Sequence, residues 1–235
     1  MNKEQLSIRQ AARQAQYNWP ACLSSALKPI WQKTLSDDAN GLISGWPLKI
    51  LEDISVPATV LIKKYAQRLG AAALYFWTAA NLQDDLSDSD QAPKEYLPLA
   101  NACWQAAWHL SFTSPSPLNL KISRHWQKNL LLVEAANFQE LKNPQLIPTK
   151  KLAPAGKSAF LLAGPILLLA CLNWTPKDQQ KFNLAGRYAL AAKQLADDVY
   201  DYREDWQAGR RTAAHQGLKN LPDKNQLPAY YYRQA

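Results

Sequence analysis

Two stretches of this chain carry enough carboxylates, at a regular enough spacing, to do chemistry. Gln194 to Arg211 reads QLADDVYDYREDWQAGRR and places five acidic residues within the nine from Asp197 to Asp205. On a helix, Asp197, Asp201 and Asp205 recur at i, i+4 and i+8 and share one face, with Asp198 beside them. Like charges at that spacing cost a helix about 0.2–0.5 kcal/mol per pair, so a row this dense calls for a compensating cation or a solvated face. The apolar residues leading up to it, Leu184 to Leu195, put the row at the end of a buried segment, which favours the cation. Asn81 to Asp90, NLQDDLSDSD, repeats the arrangement after the apolar run AALYFWTAA, with Asp84 and Asp88 one turn apart and Asp85 next to them. Hard carboxylate oxygens on two facing helices, completed by water and by a ligand's phosphate oxygens, suit Mg2+. The two rows are therefore expected to share one site.

Long helices must position those rows. Glycine is scarce, at 8 in 235 residues, apolar residues recur at helical rather than alternating spacing, and no segment reads as a strand, so the expected fold class is all-α. A chain of 235 residues, 47% of them hydrophobic, can bury a sizeable core as a single domain, 1–235. Short helices at 3–17 and 21–33 form an N-terminal region to about residue 45, with a loop at 36–46 and a brief helix at 48–53. A long helix, 58–86, delivers the first acidic row at its C-terminal end, followed by a loop at 87–93 and a helix at 94–112. That end of a helix is itself partly negative, so carboxylates there fit a bound cation better than a solvated face. A Pro-rich connection at 113–119, a helix at 125–141 and a turn at 143–149 follow. The apolar segment 159–172 contains Pro165 and reads as a kinked core helix, being shorter than the roughly 20 residues of a membrane span. Thr175-Pro176 starts the last long helix, 176 to about 208, which Gly209 ends, and residues 212–235 read as a tail or lid.

Composition removes several function classes. The 27 Lys and Arg against 19 Asp and Glu give +8, but the basic residues are dispersed, without the aromatic-basic repeat of a nucleic-acid groove, so no nucleic-acid partner is expected. Cys22, Cys103 and Cys171 lack the paired spacing of a zinc site or redox dithiol, and the N-terminus lacks the apolar core of a signal peptide, which together suggest the cytoplasm. His109, His125 and His215 form no zinc-binding pair. Nine Trp residues serve mainly as core, with some free to line an apolar pocket.

Asp84-Asp85-Leu86-Ser87-Asp88 and Asp197-Asp198-Val199-Tyr200-Asp201 both have the DDxxD form, and through them the chain resembles the class I isoprenoid synthases, most closely the polyprenyl synthase branch. The resemblance covers roughly residues 45 to 211 and implies an α-helical bundle, here shortened at the C-terminus, whose two aspartate-rich motifs bind Mg2+ and hold an allylic prenyl diphosphate. It also implies a homodimer. Gln194 precedes the second motif, and Asp205 and Gly209-Arg210 follow it, where the family has similar residues, while Lys157-Ser158 resembles the family's diphosphate-contacting Lys-Thr pair. The second motif is similar, too, to the ligand triad of terpene cyclases and to the corresponding motif of squalene and phytoene synthases.

The departures narrow the expected reaction. Chain-elongating members have a Gly-Lys-x-x-Arg segment upstream and an Arg-Arg-Gly after the first motif for isopentenyl diphosphate; here SGWPLK keeps only Lys49, and SDSDQAPK has no arginine. The Phe before the second motif's Gln is Lys193. One diphosphate site is supported and a second is not. The resemblance then implies that Asp84, Asp85, Asp88, Asp197, Asp201 and Asp205, with Asp198 adjacent, hold two or three Mg2+. On the same resemblance Lys157, Arg210, Arg211 and Gln194 are expected to bind the substrate, and Tyr75, Phe76, Trp77, Trp108 and Phe160 to wall a dry pocket around an allylic cation. Cyclisation or elimination is the leading expectation. Chain-elongating or head-to-head condensation, a non-catalytic synthase-like subunit and an acidic-surface helical protein without metal are the alternatives.

Overall fold

The computed structural model describes residues 3–16, 19–54, 59–88, 92–112, 129–136, 138, 142, 156, 158–201 and 207, the side chain of Asp88 excepted. Among the described residues there are helices and turns and no strand, as the all-α expectation requires. By contact the chain divides into two compact units, residues 1–122 with 167–173 and residues 123–166 with 174–235.

The first unit is assembled around one helix. α1 (Lys3–Ala15), α2 (Ala21–Asp37), α3 (Trp46–Asp53) and α5 (Tyr96–Phe112) all pack against α4 (Val60–Asp88). The sequence of α4 explains this position: Leu69 and every residue from Ala71 to Phe76 are buried, so the helix is apolar all round in its middle rather than along one stripe. α5 runs antiparallel to it. Tyr65, near the start of α4, donates its hydroxyl to the Ser111 carbonyl near the end of α5 at 2.9 Å. Further along α4, Phe76 meets Trp104 edge-on at 5.1 Å between ring centres. On another side of α4, Tyr75 donates to the Ala12 carbonyl of α1 at 2.8 Å and stacks on Trp31 of α2 at 4.7 Å. The buried Thr34 and Thr78 hydroxyls lie 3.0 Å apart, and Thr78 donates onward to the Leu74 carbonyl at 2.8 Å, so both are satisfied.

Capping chemistry sets the end of α2. The helix continues through Asp37, past the expected end near Lys33 and with Pro29 inside it. It stops where the Asp38 carboxylate can accept the N–H groups of Ile43 at 2.7 Å and Ser44 at 3.3 Å, and the Ser44 hydroxyl. The turn so formed lies directly on α4, because a Cβ at Gly70 would stand 2.3 Å from the Ser44 carbonyl oxygen.

In the second unit, α6 (residues 129–136) buries Val133 and Asn129, and the Asn129 amide donates to the Asn183 side chain at 3.4 Å. The segment expected as one kinked helix is instead a 3-10 turn, Ala159–Leu162, followed by α7 (Ala163–Cys171), whose residues fall to both units. Pro165 stands in the first turn of α7, where its missing N–H has no intrahelical partner to lose, so the chain restarts its helix rather than bending one. Asn173 closes this segment with φ 59°, a left-handed conformation that asparagine tolerates.

α8 (Pro176–Tyr200) begins as the sequence indicates, with Thr175 as N-cap and Pro176 in the first turn. Thr175 Oγ1 accepts the Asp178 N–H at 3.2 Å and donates to the Asp178 carboxylate at 2.6 Å. Gly186 marks a close approach: a Cβ there would stand 2.5 Å from Leu162 Cδ2, so its bare backbone lets the 3-10 turn close on the helix. Toward its C-terminus α8 buries Leu190, Ala191, Ala192 and Leu195. Among the described residues no helix is long and apolar enough to cross a membrane.

Candidate metal and diphosphate site

Each acidic row occupies the C-terminal end of a long helix. Asp84, Asp85 and Asp88 lie in the last turns of α4, just after buried Leu82. The helix runs two residues beyond its expected end at Leu86, so Asp84 and Asp88 stand one turn apart on continuous helix. Asp84 and Asp85 are exposed. The Ser87 hydroxyl donates back to the Gln83 carbonyl of the preceding turn at 2.8 Å, so its polar group is satisfied within the helix.

The second row is held differently. Asp197 and Asp198 lie in the last turn of α8, and Asp201 is its C-cap, with its N–H on the Asp197 carbonyl at 2.9 Å. The unbroken helix expected to about residue 208 therefore gives way to α8 ending at Tyr200, with Asp201 at the cap rather than in the interior. Lys193 Nζ donates to Asp197 Oδ2 at 2.6 Å, and Gln194 Nε2 donates to Asp198 Oδ1 at 3.1 Å. Asp198, at 8% exposure, is buried, whereas the Lys193 and Asp197 side chains are about half exposed. Gln194, expected to bind substrate, contacts Asp198 here, and sequence reasoning overlooked Lys193 as a partner of Asp197. Both contacts follow from i, i+4 spacing, which was the available signal.

Lys157, Asp205, Arg210 and Arg211 lie outside the described residues. Among the described residues no three His, Cys, Asp or Glu side chains converge into a group that could hold a metal ion. Taken end by end, the donors in both rows are all carboxylate oxygens, the hard ligand class that fits Mg2+.

Four of the expected pocket walls fall in the first unit and Phe160 in the second. Tyr75 faces α1 and α2 while its neighbour Phe76 faces α5, so these two cannot line a common wall. Burial pushes the Tyr75 pKa up, consistent with a neutral hydroxyl fixed in the core. Trp77 is half-buried on α4, and Trp108 stacks on Phe112 of α5 at 5.2 Å. Phe160 is buried within the 3-10 turn of the second unit.

Two further observations bear on the chemistry. Lys49, the upstream cation retained from the elongating pattern, is tied to its own helix through Asp53 at 3.0 Å and Glu52 at 3.6 Å. Its pKa is raised chiefly by the Asp53 hydrogen bond. The Cys103 thiol is pushed up to about 12 by burial, which makes it a neutral core residue. No family model, curated protein or solved structure matches the chain.

Proposed function

We propose that this protein is a Mg2+-dependent class I isoprenoid synthase that ionises an allylic prenyl diphosphate and carries the product on by cyclisation or elimination. The observation that carries the reading is the shared placement of two DDxxD sequences, each ending a long helix whose preceding turns are buried. Such an end opposes negative charge, and a resident cation would offset that cost.

Asp84, Asp85 and Asp88 on one helix end, with Asp197, Asp201 and Asp205 on the other, are the residues that would hold two or three Mg2+. When bound, Mg2+ supplies positive charge that stabilises a departing diphosphate. Gln194 fixes Asp198 and so steadies the helix end from which Asp197 projects. Lys157, Arg210 and Arg211 supply ammonium and guanidinium donors for the diphosphate oxygens. As the C–O bond breaks, its electron pair leaves with the diphosphate. Trp77, Trp108 and Phe160 are the aromatic side chains proposed to face the allylic cation, while Tyr75 and Phe76 are buried in the core of the first unit. The upstream segment keeps one cation, Lys49, where the elongating pattern has a Lys and an Arg, which supports ionisation over condensation.

The test is to incubate purified protein with geranyl, farnesyl and geranylgeranyl diphosphates and Mg2+, with and without isopentenyl diphosphate. Pyrophosphate release without isopentenyl diphosphate is expected. Product formed only in its presence would replace the cyclase reading with condensation. A homodimer, checked by light scattering, is part of the proposal. One observation favours a second reading: Asp197 and Asp198 already have partners on their own helix, as in a non-catalytic helical protein that takes no metal. That reading predicts a melting temperature unmoved by Mg2+ plus pyrophosphate.

A further inference from the structure

We propose that the end of the first unit where α4 begins and α5 finishes is a docking surface for an anionic membrane, with Val60 and Leu61 entering the lipid and Lys63 and Lys64 meeting the headgroup phosphates. The inference is independent of the synthase reading. Val60 and Leu61, in the first turn of α4, are 72% and 56% exposed. Thr59 holds that turn in place: its hydroxyl accepts the Ile62 N–H at 3.3 Å and its carbonyl the Lys63 N–H at 3.0 Å. α5 finishes beside them, since Tyr65, one turn after Leu61 on the same face, donates to the Ser111 carbonyl. Phe112, the last residue of α5, is 37% exposed and stacked on half-buried Trp108.

Charge selects the partner. Lys63 and Lys64 are exposed, and between Asp53 and Asp84 the chain has these two and Arg68 but no acidic residue. α5 contains no Asp, Glu, Lys or Arg. Glu52 and Asp53, which precede α4, are both engaged by Lys49, at 3.6 and 3.0 Å. The acidic row of α4 lies at its opposite end, roughly 35 Å from Leu61 along the axis. Helical side chains tilt toward the N-terminus, so both ammonium groups are carried back toward the level of Val60 and Leu61. Apolar tips with cations near their level match a lipid surface, where acyl chains lie beneath anionic phosphates. Side chains this exposed protrude instead of lining a groove, which fits a deformable bilayer better than a shaped protein partner. The Trp108–Phe112 stack adds aromatic surface of the kind that sits at headgroup level.

The experiment is sedimentation of the full chain with vesicles of phosphatidylcholine, with and without phosphatidylserine, at physiological ionic strength. Binding is expected only where phosphatidylserine is present. Removing both lysines, as Lys63→Gln with Lys64→Gln, should weaken it about 30-fold, or roughly fivefold for each. Leu61→Gln should weaken it about 5- to 30-fold by removing the apolar tip. A charge-matched control, Lys28→Gln with Lys33→Gln, should stay within about threefold of the wild type. Both are exposed on α2, which meets α4 at Tyr75 and Thr78, about 20 Å from Leu61 along the axis. No binding to phosphatidylserine vesicles overturns the proposal, as does equal weakening by the two lysine pairs, which would assign the attraction to the net charge of +8. Unchanged binding by Leu61→Gln overturns it too. A dimer that Leu61→Gln dissociates in analytical ultracentrifugation would assign the patch to a second copy of the chain instead. Far-UV circular dichroism checks the fold of each variant, and Val60→Thr serves should Leu61→Gln not fold.

Discussion

The ends of α4 and α8 carry the same five-residue pattern on different supports. α4 is enclosed on all sides through its middle and emerges with Asp84 and Asp85 exposed. α8 buries residues selectively, Asp198 among them, and its aspartates are engaged by Lys193 and Gln194 of the preceding turn. Four residues before their paired aspartates, α4 has Ala80 and Asn81 and α8 has Lys193 and Gln194. On α8 the residues one turn back are the partners of the motif, as i, i+4 spacing allows.

The comparison breaks most sharply if only one row matters to turnover. Asp84→Asn and Asp197→Asn should each lower pyrophosphate release from an allylic diphosphate by about 10²- to 10³-fold, the range for removing one preorganised electrostatic contact. Loss in Asp84→Asn alone would separate the two rows. The contrast between an enclosed and a one-sided helix is read by denaturation. Leu69→Ala in α4 should cost about 2–5 kcal/mol, whereas Leu184→Ala in α8, where the side chain is 48% exposed, should stay within about 0.5 kcal/mol. Tyr75→Phe should cost about 1–3 kcal/mol in the same assay, because it strands the Ala12 carbonyl without its donor.

Effects smaller than those of the α4 core belong to the start of α8. Thr175→Ala should destabilise by about 1 kcal/mol through loss of the N-cap. The Asp178 carboxyl is held below its ordinary range, first by the Thr175 hydroxyl and then by Lys181. Its folded pKa lies below its unfolded one, so its contribution is present above the unfolded value, near 3.9, and fades as pH falls through the folded value. The difference in melting temperature between the wild type and Asp178→Asn should therefore be constant near neutrality and shrink only below about pH 4. A gap that instead widened on acidification would contradict the hydrogen-bonding assignment.

Helical class and the centres of the helices were legible in the sequence because they depend on local periodicity. The all-apolar run through Ala71 to Phe76 announced a buried helix, and Thr175-Pro176 announced the start of another, since capping and first-turn proline act within a few residues. Helix ends were less legible. α2 passed Lys33 because the stop is made by Asp38 reaching forward to Ile43 and Ser44, a contact no periodicity encodes. The row at Asp197 was expected to continue on one face through Asp205, but Asp201 is a cap.

For the candidate site, the sequence by itself determined which carboxylates exist and their spacing along the chain, because one helical turn is a property of the backbone. It also contained the Lys193–Asp197 and Gln194–Asp198 pairs, both at i, i+4. Only the tertiary structure decided that Tyr75 and Phe76 face different helices, that Asp198 is buried while Asp85 is exposed, and that Gly70 and Gly186 are points of close approach. Those outcomes depend on which elements pack together, and residues far apart in the chain meet through burial, whose physics is indifferent to sequence distance.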